Sequence, residues 1–199
     1  MIDYIVVSLG EILEGEVKEN NLCEVFKKFS CRRETDLEDF LVRKAIVYEK
    51  AQVGKTYLFL DEEKLKNHEM EIIAYYTIAQ RSLDISKMSL AKRRKTLGNY
   101  PGRDGLSSIP AYLIGQIGRS DKYSHSDLSG EQMLRECYSS ISIAARVIGG
   151  EIVVLECREQ MFPKFYQGKG FKKFYSELGE NNLYTLYKKV NFSDYWKKN

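Results

Sequence analysis

The spacing of apolar residues changes several times along the chain, and each change predicts an element. Ile2 to Leu9 is a short apolar run that predicts a first strand, broken by the polar stretch from Glu14 to Asn21. From Thr35 the spacing turns helical. Leu37, Phe40, Leu41, Ala45 and Tyr48 recur at intervals of three and four, with Thr35 and Glu38 as a capping box and an end near Gly54. TYLFL, from Thr56 to Leu60, and EIIAYYTIAQ, from Glu71, predict a strand pair joined by the charged link DEEKLKNHE. A polar, basic link over about 82–108 follows, with KMSLAKRRK as a short helix and GNYPGRDGLSS as a loop.

Beyond the link, IPAYLIGQIGRS predicts a strand and KYSHSDLSG a polar loop. GEQMLRECYSSISIAARVIG predicts a helix with Met133, Leu134, Cys137, Tyr138, Ile141, Ala145 and Ile148 as its apolar stripe. EIVVLEC is short and continuously apolar, the pattern of a strand buried on both faces. A helix from Arg158 to Gln167 and strands near Phe171 to Tyr175 and Leu183 to Val190 complete the order. That alternation predicts an α/β fold whose second half holds a parallel strand–helix–strand unit. No repeat or composition shift marks a boundary, so one domain over 1–199 is expected, interrupted by the basic link at about 82–108.

Composition narrows the function classes. Thirty-one Lys and Arg against 28 Asp and Glu leave a formal charge of +3, which argues neither for nucleic acid nor for a membrane surface; such a partner needs a local patch. The four cysteines show no CxxC spacing and read as free thiols of a reducing compartment. The first residues lack the basic start and cleavage site of a signal peptide, and no run approaches the roughly 18 apolar residues of a membrane span, so a cytoplasmic location is expected. With only His68 and His125, neither a catalytic metal nor a nucleophile–histidine mechanism is expected.

Chemistry concentrates in two segments. In the first, a Ser-rich loop runs into the helix opened by Ser129 and Gln132, a second capping box. A helix start offers N–H groups and a positive dipole end to a phosphate, although the same pattern also describes a capped helix after a surface loop. In the second, FPKFYQGKGF from Phe162 to Phe171 places Tyr166 among aromatic residues. The segment suits either an acid or a packed helix end.

Together these segments resemble the GNAT acetyltransferase superfamily. The loop from His125 to Gly130 is similar to its Q/R-x-x-G-x-G/A motif, keeping the last glycine and carrying His125 at the Q/R position and Leu128 at the first glycine position. FPKFYQGKGF, from Phe162 to Phe171, resembles its FYxxxGF signature. The opening, with Phe29, Cys31, Leu37, Phe40 and Leu41, and the strand from Ala74 to Ala79 resemble toxin-type members, with Arg32 in place of a glycine. The resemblance implies a GNAT fold, a mixed twisted central sheet of about six to seven strands flanked by helices, with acetyl-CoA as co-substrate. It also implies that backbone groups of Ile117, Gly118 and Arg119 hold the pantetheine arm, and that His125, Ser126, Asp127, Leu128, Ser129, Gly130 and Glu131 surround the pyrophosphate. Tyr166 would protonate the departing thiolate while an amine attacks the thioester directly. A phenol, with a pKa of about 10, is protonated at neutral pH and suited to that role.

The departures bear on the loop's competence. Leu128 carries a Cβ where glycine admits close approach, and Asp127 brings a negative charge that Lys122 and Arg119 could offset. Glu71 and Glu156 could serve as bases through water or stand as solvated edge carboxylates. The acceptor stays open among a small-molecule amine, a protein amine and aminoacyl-tRNA. For the last, Lys92, Arg93, Arg94 and Lys95 form the patch. Two other classes stand beside the plain enzyme: a degenerate interaction module, and a toxin with an antitoxin partner. Tyr75 and Tyr76 could also pair two copies as a homodimer, although core packing is the commoner fate of strand aromatics.

Overall fold

The computed structural model describes residues 2–15, 17–179 and 181–196. Strands β1 (Tyr4–Ser8), β2 (Lys55–Asp61), β3 (Ile72–Asp84), β4 (Ser108–Arg119), β5 (Ile152–Arg158), β6 (Lys172–Lys173) and β7 (Leu183–Lys189) form a mixed seven-stranded sheet in the order β1-β2-β3-β4-β5-β7-β6. Helices flank it: α1 (Leu9–Glu14), α2 (Glu19–Lys27), α3 (Thr35–Asp39), α4 (Ala45–Lys50), α5 (Glu62–Lys66), α6 (Leu90–Leu97), α7 (Gly130–Ile148) and α8 (Ser193–Trp196). A π-helical turn, Phe40–Lys44, joins α3 to α4. The architecture is the expected GNAT fold. No helix among the described residues is long and apolar enough to cross a membrane.

The chain divides into two compact units, Met1–Ala79 with Ile114–Gly149 and Asn191–Asn199, and Gln80–Leu113 with Gly150–Val190. In the first, β1 and β2 pair antiparallel from Tyr4↔Asp61 to Ser8↔Tyr57, and β2 pairs antiparallel with β3, with a register shift at Phe59/Leu60. Leu9, Leu22, Phe26, Leu41, Leu58 and Tyr75 belong to its core cluster. Tyr75 stands edge-on to Phe29 at 5.4 Å and donates its hydroxyl to the Leu37 carbonyl at 2.7 Å. Tyr76 faces the other way and shares a 2.7 Å hydrogen bond with Ser140 of α7. Both tyrosines are 0% exposed, so of their two readings core packing holds and a pairing surface for a second copy does not. Adjacent strand residues point to opposite faces, and here both faces are covered.

In the second unit, β5 and β7 pair antiparallel from Ile152↔Lys189 to Arg158↔Leu183. Leu83, Ile85, Leu97, Ile109, Val154, Phe174 and Tyr187 pack together in its core. Strand β3 runs to Asp84, past the expected start of the link, because Leu83 and Ile85 are drawn into this cluster.

Local departures have physical causes. Glu34, not Thr35, is the N-cap of α3, and it makes no side-chain cap. Glu38 instead accepts the Cys31 N–H. The helix expected over 158–167 is a π-helical turn at Phe162–Tyr166 and a 3-10 turn at Gln167–Lys169, because β5 pairing extends to Arg158 and leaves little chain for a helix. The strand expected near Phe171–Tyr175 shrinks to two residues. On α7 the apolar stripe is buried except for Ile148, which is exposed beside the terminating Gly149.

Candidate functional site

The segment that the sequence marks as a candidate phosphate site lies in the first unit. Ser129 caps α7 through its hydroxyl to the Gln132 N–H at 3.2 Å, and the Gln132 side chain accepts the Ser129 N–H at 2.9 Å. The capping box is thus complete, and Gly130 opens a 19-residue helix whose positive dipole end lies at the close of the loop. Glu131 adds an acidic side chain to the first turn.

The loop before it is folded by its own side chains. Asp127 accepts the Ser124 N–H and hydroxyl, each at 2.7 Å, and these bonds, with a smaller contribution from the Arg119 charge, hold its carboxyl below the ordinary carboxylate range. Ser126 shares a 2.7 Å hydrogen bond with Ser124, and His125 is exposed. Leu128 is 0% exposed, so its side chain is an anchor in the core, and its carbonyl accepts from the Arg119 guanidinium. The Arg119 Nε also donates to the Tyr123 carbonyl at 3.0 Å. Lys122 does not neutralise Asp127. Its ammonium lies 2.6 Å from Glu71.

On β4, Ile117 and Arg119 are half-buried and Gly118 is buried. A Cβ on Gly118 would stand 2.4 Å from Leu37 Cδ1, so this glycine lets α3 close on the strand. Asp121 adds a second tie: it donates its N–H to the Ser30 carbonyl at 2.7 Å and accepts the Arg32 N–H at 2.8 Å. Sequence reasoning missed Leu37, Asp121 and Tyr123 as partners of this loop. The sole legible signal was Asp61 before Glu62-Glu63-Lys64, an N-cap pattern fulfilled by the Lys64 N–H at 3.1 Å.

The acid candidate belongs to the second unit. Tyr166 ends the π-helical turn, buried, with its ring edge-on to Phe165 at 5.0 Å and Phe171 at 5.5 Å. Gly170 has φ +82°, a left-handed conformation that glycine takes without strain, and the Phe171 N–H then returns to the Tyr166 carbonyl at 3.1 Å. Burial, with the Lys169 charge, lowers the pKa of Lys188, whose ammonium lies 5.9 Å from the Phe171 ring.

The two base candidates are both engaged. Glu71, in the first unit, gives one oxygen to Lys122 and has Lys64 3.6 Å from the other. Glu156, in the second, pairs with Arg81 at 2.8 Å.

The basic run at 92–95 divides by depth. Arg93 is 7% exposed and donates to six carbonyls, those of Ile85, Ser86, Met88, Arg103, Asp104 and Leu106, at 2.8–3.2 Å. It organises the link and is withdrawn from any phosphate, which corrects its place in the patch. Lys92, Arg94 and Lys95 stay at the surface to differing degrees. Across the whole second unit, however, 14 Lys and Arg face seven Asp and Glu, a formal +7, whereas the first unit carries 17 against 21, a formal −4.

No family model and no curated protein matches the chain. Solved structures do match it. AtaT complexed with acetyl-methionyl-tRNAfMet superposes with a TM-score of 0.67 and 16% identity over 94% of this chain and 95% of that one. A tyrosine-to-phenylalanine mutant of the AtaT toxin, bound to the C-terminus of the antitoxin AtaR and acetyl-CoA, gives 0.67 and 14% over 99% of each chain. A tyrosine-to-phenylalanine mutant of KacT gives 0.67 and 13% over 98% of each. At such identities the likeness shows the fold, and the chain has the GNAT fold of these toxins over nearly its whole length.

Proposed function

We propose that this protein transfers the acetyl group of acetyl-CoA to a primary amine carried by an RNA, as in an aminoacyl-tRNA, with Tyr166 as general acid. The observation that carries the proposal is the fold shared over 94% of the chain with a protein solved together with acetyl-methionyl-tRNAfMet. Two features of this chain support it. The FYxxxGF segment fixes Tyr166 in a buried aromatic setting, and the second unit, with buried Arg93 set aside, still holds 13 Lys and Arg against seven Asp and Glu, an excess of six. Polyanion binding draws on such an excess, because each neutralised phosphate releases counterions. Leu128 turned into the core favours a working loop over a degenerate one.

In the proposed reaction the neutral amine attacks the thioester carbonyl, the carbon–sulfur bond breaks as the tetrahedral intermediate collapses, the Tyr166 hydroxyl gives its proton to the leaving sulfur, and the proton shed by the attacking nitrogen passes through water to restore the phenol. Backbone groups of Ile117, Gly118 and Arg119 would align the pantetheine arm as an added strand does, and the α7 start would face the pyrophosphate. A neutralising partner, in the manner of AtaR on AtaT, accompanies the toxin form of this reading.

Calorimetric titration with acetyl-CoA tests the donor, and micromolar binding is expected. Tyr166→Phe should keep that affinity and the fold while lowering turnover by roughly 10²–10⁴-fold, the range of general acid catalysis. Unchanged turnover removes Tyr166 from the acid role.

A further inference from the structure

Resting on the acetyl-CoA reading above, we infer that Asp61 and Glu71 are positioning residues that fix the 120–128 loop from behind, and through it the place of the donor's diphosphate. Both are buried carboxylates, at the end of β2 and just before β3, and the proposed transfer has no role for either as acid or nucleophile. They hold consecutive loop residues. Glu71 takes the Lys122 ammonium at 2.6 Å, and Asp61 takes the Tyr123 hydroxyl at 3.2 Å. The two acids are themselves joined, since the Asp61 N–H donates to the Glu71 carbonyl at 3.1 Å. Lys64, whose N–H is capped by Asp61, has its ammonium 3.6 Å from Glu71. The Ser120 N–H returns to the Ile73 carbonyl at 2.8 Å, and Arg119 bridges the carbonyls of Tyr123 and Leu128.

The Glu71 carboxylate is buried while the Lys122 side chain is 46% exposed, so the pair adds little net stability, and its contribution lies in where it holds the loop. A Ser-rich polar loop left to itself samples many conformations, and ordering it around an anion would weaken binding by the entropy lost. With Lys122 and Tyr123 pinned from the rear, that ordering is complete before the donor arrives. Burial, and then the charges of Asp61 and Glu71, raise the Tyr123 pKa, so the phenol remains a donor throughout the neutral range.

The test uses the full chain with Glu71→Gln and Tyr123→Phe, and compares acetyl-CoA with acetyl-pantetheine, which lacks the diphosphate and nucleotide. The expected result is a rise in KM for acetyl-CoA of roughly tenfold in each variant, the scale of one lost charged hydrogen bond. In Tyr123→Phe, maximal turnover on acetyl-CoA and kcat/KM on acetyl-pantetheine should stay within about twofold of the unsubstituted protein, and that variant separates a displaced diphosphate from general damage. Equal losses on both donors would mean general damage to the fold and overturn the inference, as would an unchanged KM for acetyl-CoA. Should Glu71→Gln not fold, Tyr123→Phe, which removes one oxygen from a half-buried ring, decides alone. Failure of the donor reading itself looks different, since the unsubstituted protein would then bind no acetyl-CoA.

Discussion

In the first unit buried anions gather the chain around them, and in the second a buried cation does. Glu49, Asp61 and Glu71 are interior carboxylates of the first unit, each answered by backbone N–H groups, a phenol or lysine ammonium groups: Glu49, for instance, accepts from Lys55 and the Thr56 N–H, both at 2.9 Å. Arg93 of the second unit is answered by carbonyls alone, six from the turns on either side of α6. A carboxylate suits a place where N–H and ammonium donors converge. A guanidinium suits a loop whose carbonyls would otherwise be left unpaired. Each buried charge has the sign of its unit's formal excess, −4 in the first and +7 in the second, so formal charge overstates what either unit shows to solvent.

The largest expected effect strikes the second unit. Arg93→Ala should lower stability by about 3 kcal/mol or more, because several buried carbonyls lose their donor together. Hydrogen exchange should speed up over 85–106 while the 61–71 and 120–128 segments keep their protection. Uniform loss of protection across both units would break the comparison. Arg93→Lys should recover only part of the loss, since an ammonium cannot reproduce the planar fork.

A smaller effect is expected in the first unit. Gly118→Ala should destabilise by about 1–3 kcal/mol by driving a methyl into Leu37. Combining it with Leu37→Ala should restore part of that stability in denaturant unfolding. Strict additivity of the two would show that the close approach is not the cause.

The smallest effect concerns surface charge. Reversing Lys92, Arg94 and Lys95 together to Glu should weaken binding of aminoacyl-tRNA and make its log–log salt slope shallower by about two to three, while acetyl-CoA affinity holds. The same reversal at Lys27, Arg43 and Lys50, cations of the first unit paired with Glu24, Asp39 and Glu19, should change the slope less. Equal slopes for the two sets would remove the second unit's distinction as the RNA-facing one.

Elements whose burial follows a simple period were legible in the sequence. The α7 stripe and its capping box, the β2 and β3 pair, and the apolar β5 all lie close to where alternation and three-to-four spacing predict them. Elements set by pairing or by charge were not. The π-helical turns and the five-residue α5 between charged residues carry too short a pattern to register, and the strand expected near Phe171–Tyr175 was placed but not its length of two residues. Of the candidate site, Tyr166 and the helix start at Ser129 were readable from local motifs. The meaning of Leu128 was not, because a Cβ at a glycine position is an obstacle or an anchor according to which way the backbone turns it.

The sequence by itself determined the α/β class and most of the order of elements, and it marked two candidate segments, because those depend on neighbours within about one turn or one strand. Tertiary structure alone decided which charges are structural. Arg93 stands in a run of four cations but is buried by carbonyls up to 13 residues away, and Asp61 and Glu71 find Tyr123 and Lys122 across separations of 62 and 51 residues. A charge is exposed or enclosed according to what the rest of the chain brings to it, and no local period encodes that.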